Sequence, residues 1–139
     1  MKNRSQDLLR IRLGVKTTTI NSKMGANEYF QNTTIRPAIQ FQHDLLIANF
    51  KNYINKHKNV FYALTTDKKI IYIDTAIHKD IKYRNSLKGI LIGIFSVEEY
   101  ETYIKDSSRL NKRMMNLVIE HLKDNVLLFE KNDNLEISA

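Results

Sequence analysis

At 139 residues, with a formal net charge of +7, four histidines and no cysteine, the chain is long enough for one domain with a single hydrophobic core and has no room for a second. The absence of cysteine excludes disulfides, thiolate metal sites and cysteine nucleophiles, and agrees with a reducing compartment. The longest apolar run, Ile90–Phe95, is interrupted by Gly93 and falls far short of the roughly 20 residues of a membrane-spanning helix, so no membrane insertion is expected.

The charge is unevenly placed. Residues 1–23 carry a net +5, residues 24–50 a net −1, residues 51–88 a net +6 and residues 89–139 a net −3. Clustered like charge creates a directed field, so a basic middle face suits phosphates or an acidic partner protein. The competing description is a solvated helical surface.

Residues 1–26 form a basic N-terminal arm. Arg10 and Arg12 interrupt the apolar segment that a secretory signal requires. Although an acid-poor start with Arg and Thr also suits an organellar transit peptide, the abundant Lys, Asn and Ile suit an AT-rich bacterial genome better, so a cytoplasmic bacterial protein is expected. Leu9, Ile11, Leu13 and Val15 alternate with polar residues as in a half-buried strand, but a lone strand has no pairing partner. The arm therefore reads as irregular or weakly helical and partly disordered. Met24 offers an alternative start, which would reduce the net charge to +2.

A helical domain is expected over residues 27–131. Pro37 suits the first turn of a helix from about Ile35 to Lys56, because its missing N–H costs nothing there. Ile35, Ile39, Leu46, Phe50, Tyr53 and Ile54 form its apolar stripe, with His43 inside it. Lys56–Leu64 breaks the period and serves as a connection, with Phe61 and Tyr62 tucked under neighbouring helices. Thr65 or Thr66 caps the next helix, whose stripe is Ile70, Ile73, Ile77 and Ile81. Lys68, Lys79 and Lys82 fall on its opposite, exposed face. Arg84 continues the stripe, with Asp80 at ion-pair spacing.

After Asn85–Ser86 the sequence predicts a short apolar helix over Leu87–Phe95, where Gly89 and Gly93 require compensation from close packing or a bend. Ser96 and Glu99 spell a capping box that opens another short helix. Ser107 or Ser108 caps the last helix, about Arg109–Glu130, with Leu110, Met114, Leu117, Val118, Leu122, Asn125 and Phe129 inward. Residues 132–139 form a polar tail. The expected fold is all-α, a single-domain bundle of about five helices.

No nucleophile elbow, phosphate-cradling loop or H-E-x-x-H metal motif occurs, so no catalytic residue, metal ligand or cofactor is assigned. His43 and His121 fall on apolar faces, His57 in a basic connection, and His78 with Asp80 makes only a weak H-x-D. Two polar clusters stand out: Asp80, Arg84, Asn85 and Lys88 at a helix junction, and Asn111, Lys112 and Arg113 at the start of the last helix. Arginine presents a planar fork to carboxylate or phosphate, and lysine and asparagine add donors. Tyr53, Tyr62 and Tyr83 near basic residues permit RNA binding by phosphate contact and stacking.

The stretches FQNTTIRPAIQFQHDLL, KHKNVFYAL, KDIKYRNSLKGILIGIF and LNKRMMNLV resemble a family of short, uncharacterised proteins of the Bacteroidetes, especially flavobacteria. The resemblance spans about residues 28–130. Members often carry the label "glyoxalase", which implies a metal-dependent lyase, and no ligand set carries over onto this chain. The residues themselves favour a non-enzymatic module that binds nucleic acid or an acidic protein through a basic face comprising Lys68, Lys79, Lys82, Arg84, Asn85, Lys88, Asn111, Lys112 and Arg113. A homo-oligomeric adaptor packed through the glycine helix is a third reading.

Overall fold

The computed structural model describes residues 3–12 and 24–130, and every regular element among them is helical. The chain is an all-α single domain, and no helix among the described residues is long and apolar enough to cross a membrane. Residues 13–23 of the arm and the tail at 132–139 lie outside the described residues.

The arm, expected to be irregular or weakly helical, contains a helix, α1 (Arg4–Arg12). Its amphipathicity is weak, so its placement comes from two arginines. Arg4 donates to the carbonyls of Phe95 and Gly93 at 2.7 and 2.8 Å. Buried Arg12 donates through Nη2 to both oxygens of Glu99, at 2.7 and 2.9 Å. Among the described residues its Nε and Nη1 find no hydrogen-bond partner, and burying the charged pair carries a desolvation cost that offsets part of its attraction.

The single helix expected from Ile35 to Lys56 is instead a broken column: α2 (Ala26–Phe30), a π-helix over Gln31–Ile35, α3 (Arg36–Phe41) and α4 (His43–Lys56). Pro37 stands in the first turn of α3, as its chemistry favours. Helical turns nevertheless precede it, and a proline ring crowds the carbonyl four residues back. The π-turn widens the backbone there, with the Arg36 N–H bonding to the Gln31 carbonyl. The second break is at Gln42, whose side chain donates to the Ile90 carbonyl at 2.9 Å. α4 ends in a Schellman turn: Lys58 is left-handed, and the Lys58 and Asn59 N–H groups bond back to Asn55 and Ile54 at 3.2 and 3.1 Å. The turn delivers Phe61, fully buried, from a 3₁₀ segment at Val60–Ala63.

Thr65 caps α5 (Thr66–Lys79), its hydroxyl accepting from the Lys68 N–H. The stripe expected to run on through Ile81 and Arg84 stops at Asp80, which leaves helical geometry and caps α6 (Ile81–Ile92). Ile73 and Ile77 are buried, whereas Ile81 is 60% exposed because it begins a new helix pointing elsewhere. The helix expected to start at Leu87 thus starts six residues earlier. Leu87 and Leu91 bury it, and the glycines do not. Gly89 is exposed with no neighbour where a Cβ would stand, and Gly93 ends the helix with its only close neighbours in the preceding turn of its own backbone. Among the described residues the close helix contact expected of them is absent.

The capping box forms as its sequence predicts at the start of α7 (Val97–Tyr103), with Ser96 and Glu99 bonding reciprocally at 3.1 and 2.8 Å. Neither Ser107 nor Ser108 caps α8 (Ser107–Asp124); Asp106 holds the cap position without bonding into the helix, and its carboxylate accepts from Asn27 at 2.8 Å. α8 ends at Asp124, and Phe129 reaches the core through a 3₁₀ turn at Val126–Leu128.

α5, α6 and α8 pack on one another around the aromatic cluster of Phe50. The Phe50 ring lies 4.9 Å from Phe129 and 5.7 Å from Phe61, both edge-on, the arrangement that suits aromatic quadrupoles. His43 and His121 meet between α4 and α8, with Nδ1 and Nε2 2.8 Å apart. One ring must donate and the other accept, so double protonation breaks the contact. Burial, and next His43, push the pKa of His121 below its ordinary 6.5, with Asp124 opposing. In the unfolded chain that pull is absent. As pH falls through about 6.5 the unfolded state takes up a proton that the folded state refuses, so stability present above that pH is lost below it. Urea midpoints measured from about pH 8 to pH 5 should fall for the wild type and fall less for His121→Gln; equal pH dependence would contradict this origin.

Candidate functional site

Asp80 positions the polar residues of the domain. Its Oδ1 accepts from the Tyr83 N–H at 3.1 Å, the N-cap bond of α6, and its Oδ2 accepts from the Tyr53 hydroxyl at 3.2 Å. The pairing of Asp80 with Arg84 expected from their spacing does not form, because a capping aspartate lies before the helix that carries the arginine. Arg84 Nη1 instead donates to the His78 carbonyl at 2.9 Å, at the C-terminal end of α5, where a cation complements the helix dipole.

From that start, Arg84 and Lys88 fall one turn apart on α6 and face α8. Together with His78 they form one side of a cleft of about 610 Å³, and Ser108, Asn111, Lys112, Met115 and Asn116 form the other. The α8 residues recur at three- and four-residue spacing, the repeat of a single helix face. Asn111 Oδ1 accepts from the Tyr103 hydroxyl, which leaves its amide hydrogens as donors. Three cationic side chains thus line one concavity, and no carboxylate lines it among the described residues. The ion pairs found among those residues, Arg10–Asp7, Arg12–Glu99 and Lys123–Asp74, lie elsewhere.

The fold joins Arg84 and Lys88 of one sequence cluster to Asn111 and Lys112 of the other. It separates the remaining candidates. Asn85 is exposed outside the cleft, about 100° around α6 from Arg84. Arg113 turns toward the π-helix and donates to Gln31 at 3.0 Å. Lys68 is exposed at the start of α5, about 16 Å of helix rise from Lys79. Lys79 and Lys82 line a second concavity, of about 540 Å³, together with Tyr53, His57, Tyr72 and the carboxylate of Asp80. Sequence reasoning did not place His78, Ser108, Met115 or Asn116 in a site; the spacing from Ser108 through Asn116 is the signal that would have found the α8 wall.

Burial, followed by the Asp80 hydrogen bond and charge, pushes the Tyr53 phenol up to about 12. Burial foremost also raises Tyr83, whose hydroxyl donates to Asn49 Oδ1 at 2.7 Å. Both rings remain neutral donors, fixed in place rather than poised to transfer protons. Among the described residues no three histidine or carboxylate side chains converge as a metal ion requires. Compared with protein-family models, curated proteins and solved structures, the chain matches none.

The cap makes Asp80 testable by itself. Asp80→Ala should destabilise the fold by about 1 kcal/mol in urea unfolding through loss of the N-cap, whereas Asp80→Asn, still able to accept from the Tyr83 N–H, should retain most of that stability. Equal losses would show that the carboxylate charge, and not the cap, is what matters.

Proposed function

We propose that this chain is a non-enzymatic binding module that holds an anionic group of a macromolecular partner between α6 and α8. The observation that carries this reading is the convergence of Arg84, Lys88 and Lys112 in a cleft without an acidic neighbour among the described residues. Like charges at close range repel one another, and an anion placed among them removes that repulsion while accepting charge-assisted hydrogen bonds. Asn111, oriented by Tyr103, supplies neutral donors beside them. The bond from Arg84 to the His78 carbonyl uses one corner of the guanidinium, and the other N–H groups remain to grip a planar or tetrahedral oxyanion. Lys79 and Lys82 continue the positive surface across the α5–α6 junction, which favours an extended partner over a small ion.

Inorganic polyphosphate, an anion with neither bases nor peptide, serves as the probe. Arg84→Ala with Lys88→Ala should weaken its binding at least about tenfold, since hydrogen bonds to charged groups contribute about 1.5–3 kcal/mol each. Lys68→Ala, which removes the same kind of charge outside the cleft, should change binding less than about twofold. An equal loss in Lys68→Ala would mean that diffuse charge rather than the cleft binds the probe, and no binding by the wild type would overturn the reading.

A further inference from the structure

The concavity beside the cleft has a different chemistry. The Tyr83 and Tyr53 rings lie 4.1 Å apart at 34°, and the imidazole of His57 lies 4.0 Å from Tyr53 at 23°. The three rings make a short stack that begins in the core, where Tyr83 is buried, and ends at the surface, where His57 is exposed. His57 Nδ1 lies 2.9 Å from the Tyr53 carbonyl. A carbonyl only accepts, so that nitrogen carries the proton and the ring is held in plane with the stack. Among the described residues no aromatic ring covers the outer face of His57. Lys79 and Lys82 border the same concavity.

The two concavities have no lining residue in common, but neighbouring residues of the α5–α6 junction line both. His78 and Arg84 face the cationic cleft, while Lys79 and Lys82, from the same stretch of chain, face the aromatic one. A partner lying across the α5–α6 junction therefore meets a flat, exposed ring on one side and a group of cations on the other. An acidic peptide uses the cations and has no need of the ring. A single-stranded nucleic acid uses both, because each nucleotide presents an aromatic base and a phosphate, and stacking is available to every base.

We infer that the partner held by this basic face is a single-stranded nucleic acid, with one base stacked on His57 as the fourth ring of the Tyr83–Tyr53–His57 ladder and a neighbouring phosphate in the cleft of Arg84, Lys88 and Lys112. The inference rests on the binding reading given above and names the partner for it. The cavity volumes, about 540 and 610 Å³, are within the usual range for clefts that hold small-molecule-sized groups. Asp80 lines the aromatic concavity, with one oxygen accepting from the Tyr83 N–H and the other from the Tyr53 hydroxyl. Its charge is thus partly satisfied within the protein, and the stacked base, not the phosphate, is the group placed beside it.

Fluorescence anisotropy with the full chain tests this, using labelled 12-nucleotide single strands of RNA and of DNA, inorganic polyphosphate, and a polyglutamate peptide. His57→Ala should weaken binding of the oligonucleotides about tenfold, the scale of one lost base stack, and leave polyphosphate binding within about twofold. His57→Trp, which restores a stacking face, should recover oligonucleotide affinity, and this also guards against a general folding defect in the alanine variant. Tight binding of either sugar type supports the inference, since stacking and phosphate contact are common to both. Polyphosphate or polyglutamate bound as tightly as the oligonucleotides, or His57→Ala without effect on them, would overturn the nucleic-acid partner and leave the anion cleft standing. Binding to none of the four probes would overturn both.

Discussion

One carboxylate, that of Asp80, joins the fold to the candidate site. Its first oxygen closes the N-terminus of α6 and its second holds the Tyr53 hydroxyl, so a single side chain sets where α6 begins and ties that start to α4. Everything polar of interest is placed relative to it. One turn into α6, Arg84 reaches back to the end of α5, and Lys88 follows one turn later toward α8. On the other side, Lys79 and Lys82 flank the tyrosine and histidine stack. Without a break at this point, α5 would continue straight and the residues after it would follow the α5 face instead of turning toward α8.

The break is held from beneath by packing. Phe50 anchors an aromatic group that includes Tyr53, Phe61, Tyr72, Tyr83 and Phe129, and Leu87 and Leu91 bury α6 on the same core. Glu99 plays a comparable part elsewhere in the domain. It closes the capping box of α7, accepts from Thr34 Oγ1 at 2.8 Å, and receives Arg12 from α1. The two carboxylates act alike: each is a helix cap that also accepts from a distant element, which couples local helix formation to tertiary contact.

How much of this the sequence revealed depended on the range of the interaction. The Ser96–Glu99 box and the Thr65 cap were legible because both partners lie within four residues. The helical class and the inward faces of α4 and α8 followed from periodicity. The Asp80 break was not legible, since Ile73, Ile77 and Ile81 keep helical spacing across it, and only the exposure of Ile81 reveals the change of direction. The docking of α1 depended on a partner 87 residues away. In the site, both polar clusters were legible as clusters, but their meeting across α6 and α8 was not. Asn85 and Arg113 were drawn in by adjacency along the chain, although adjacent residues on a helix point about 100° apart.

The proposed binding surface joins the two concavities at the α5–α6 junction. Backbone amide chemical shifts, followed as a short single-stranded oligonucleotide is titrated into the labelled full chain, test it most directly. The largest changes are expected at Lys79, Lys82, Arg84, Lys88, Asn111 and Lys112 together with His57, and small changes at Lys68, Asn85 and Arg113. Changes confined to Lys68 and the outer face of α5, or spread evenly over every exposed lysine, would contradict it.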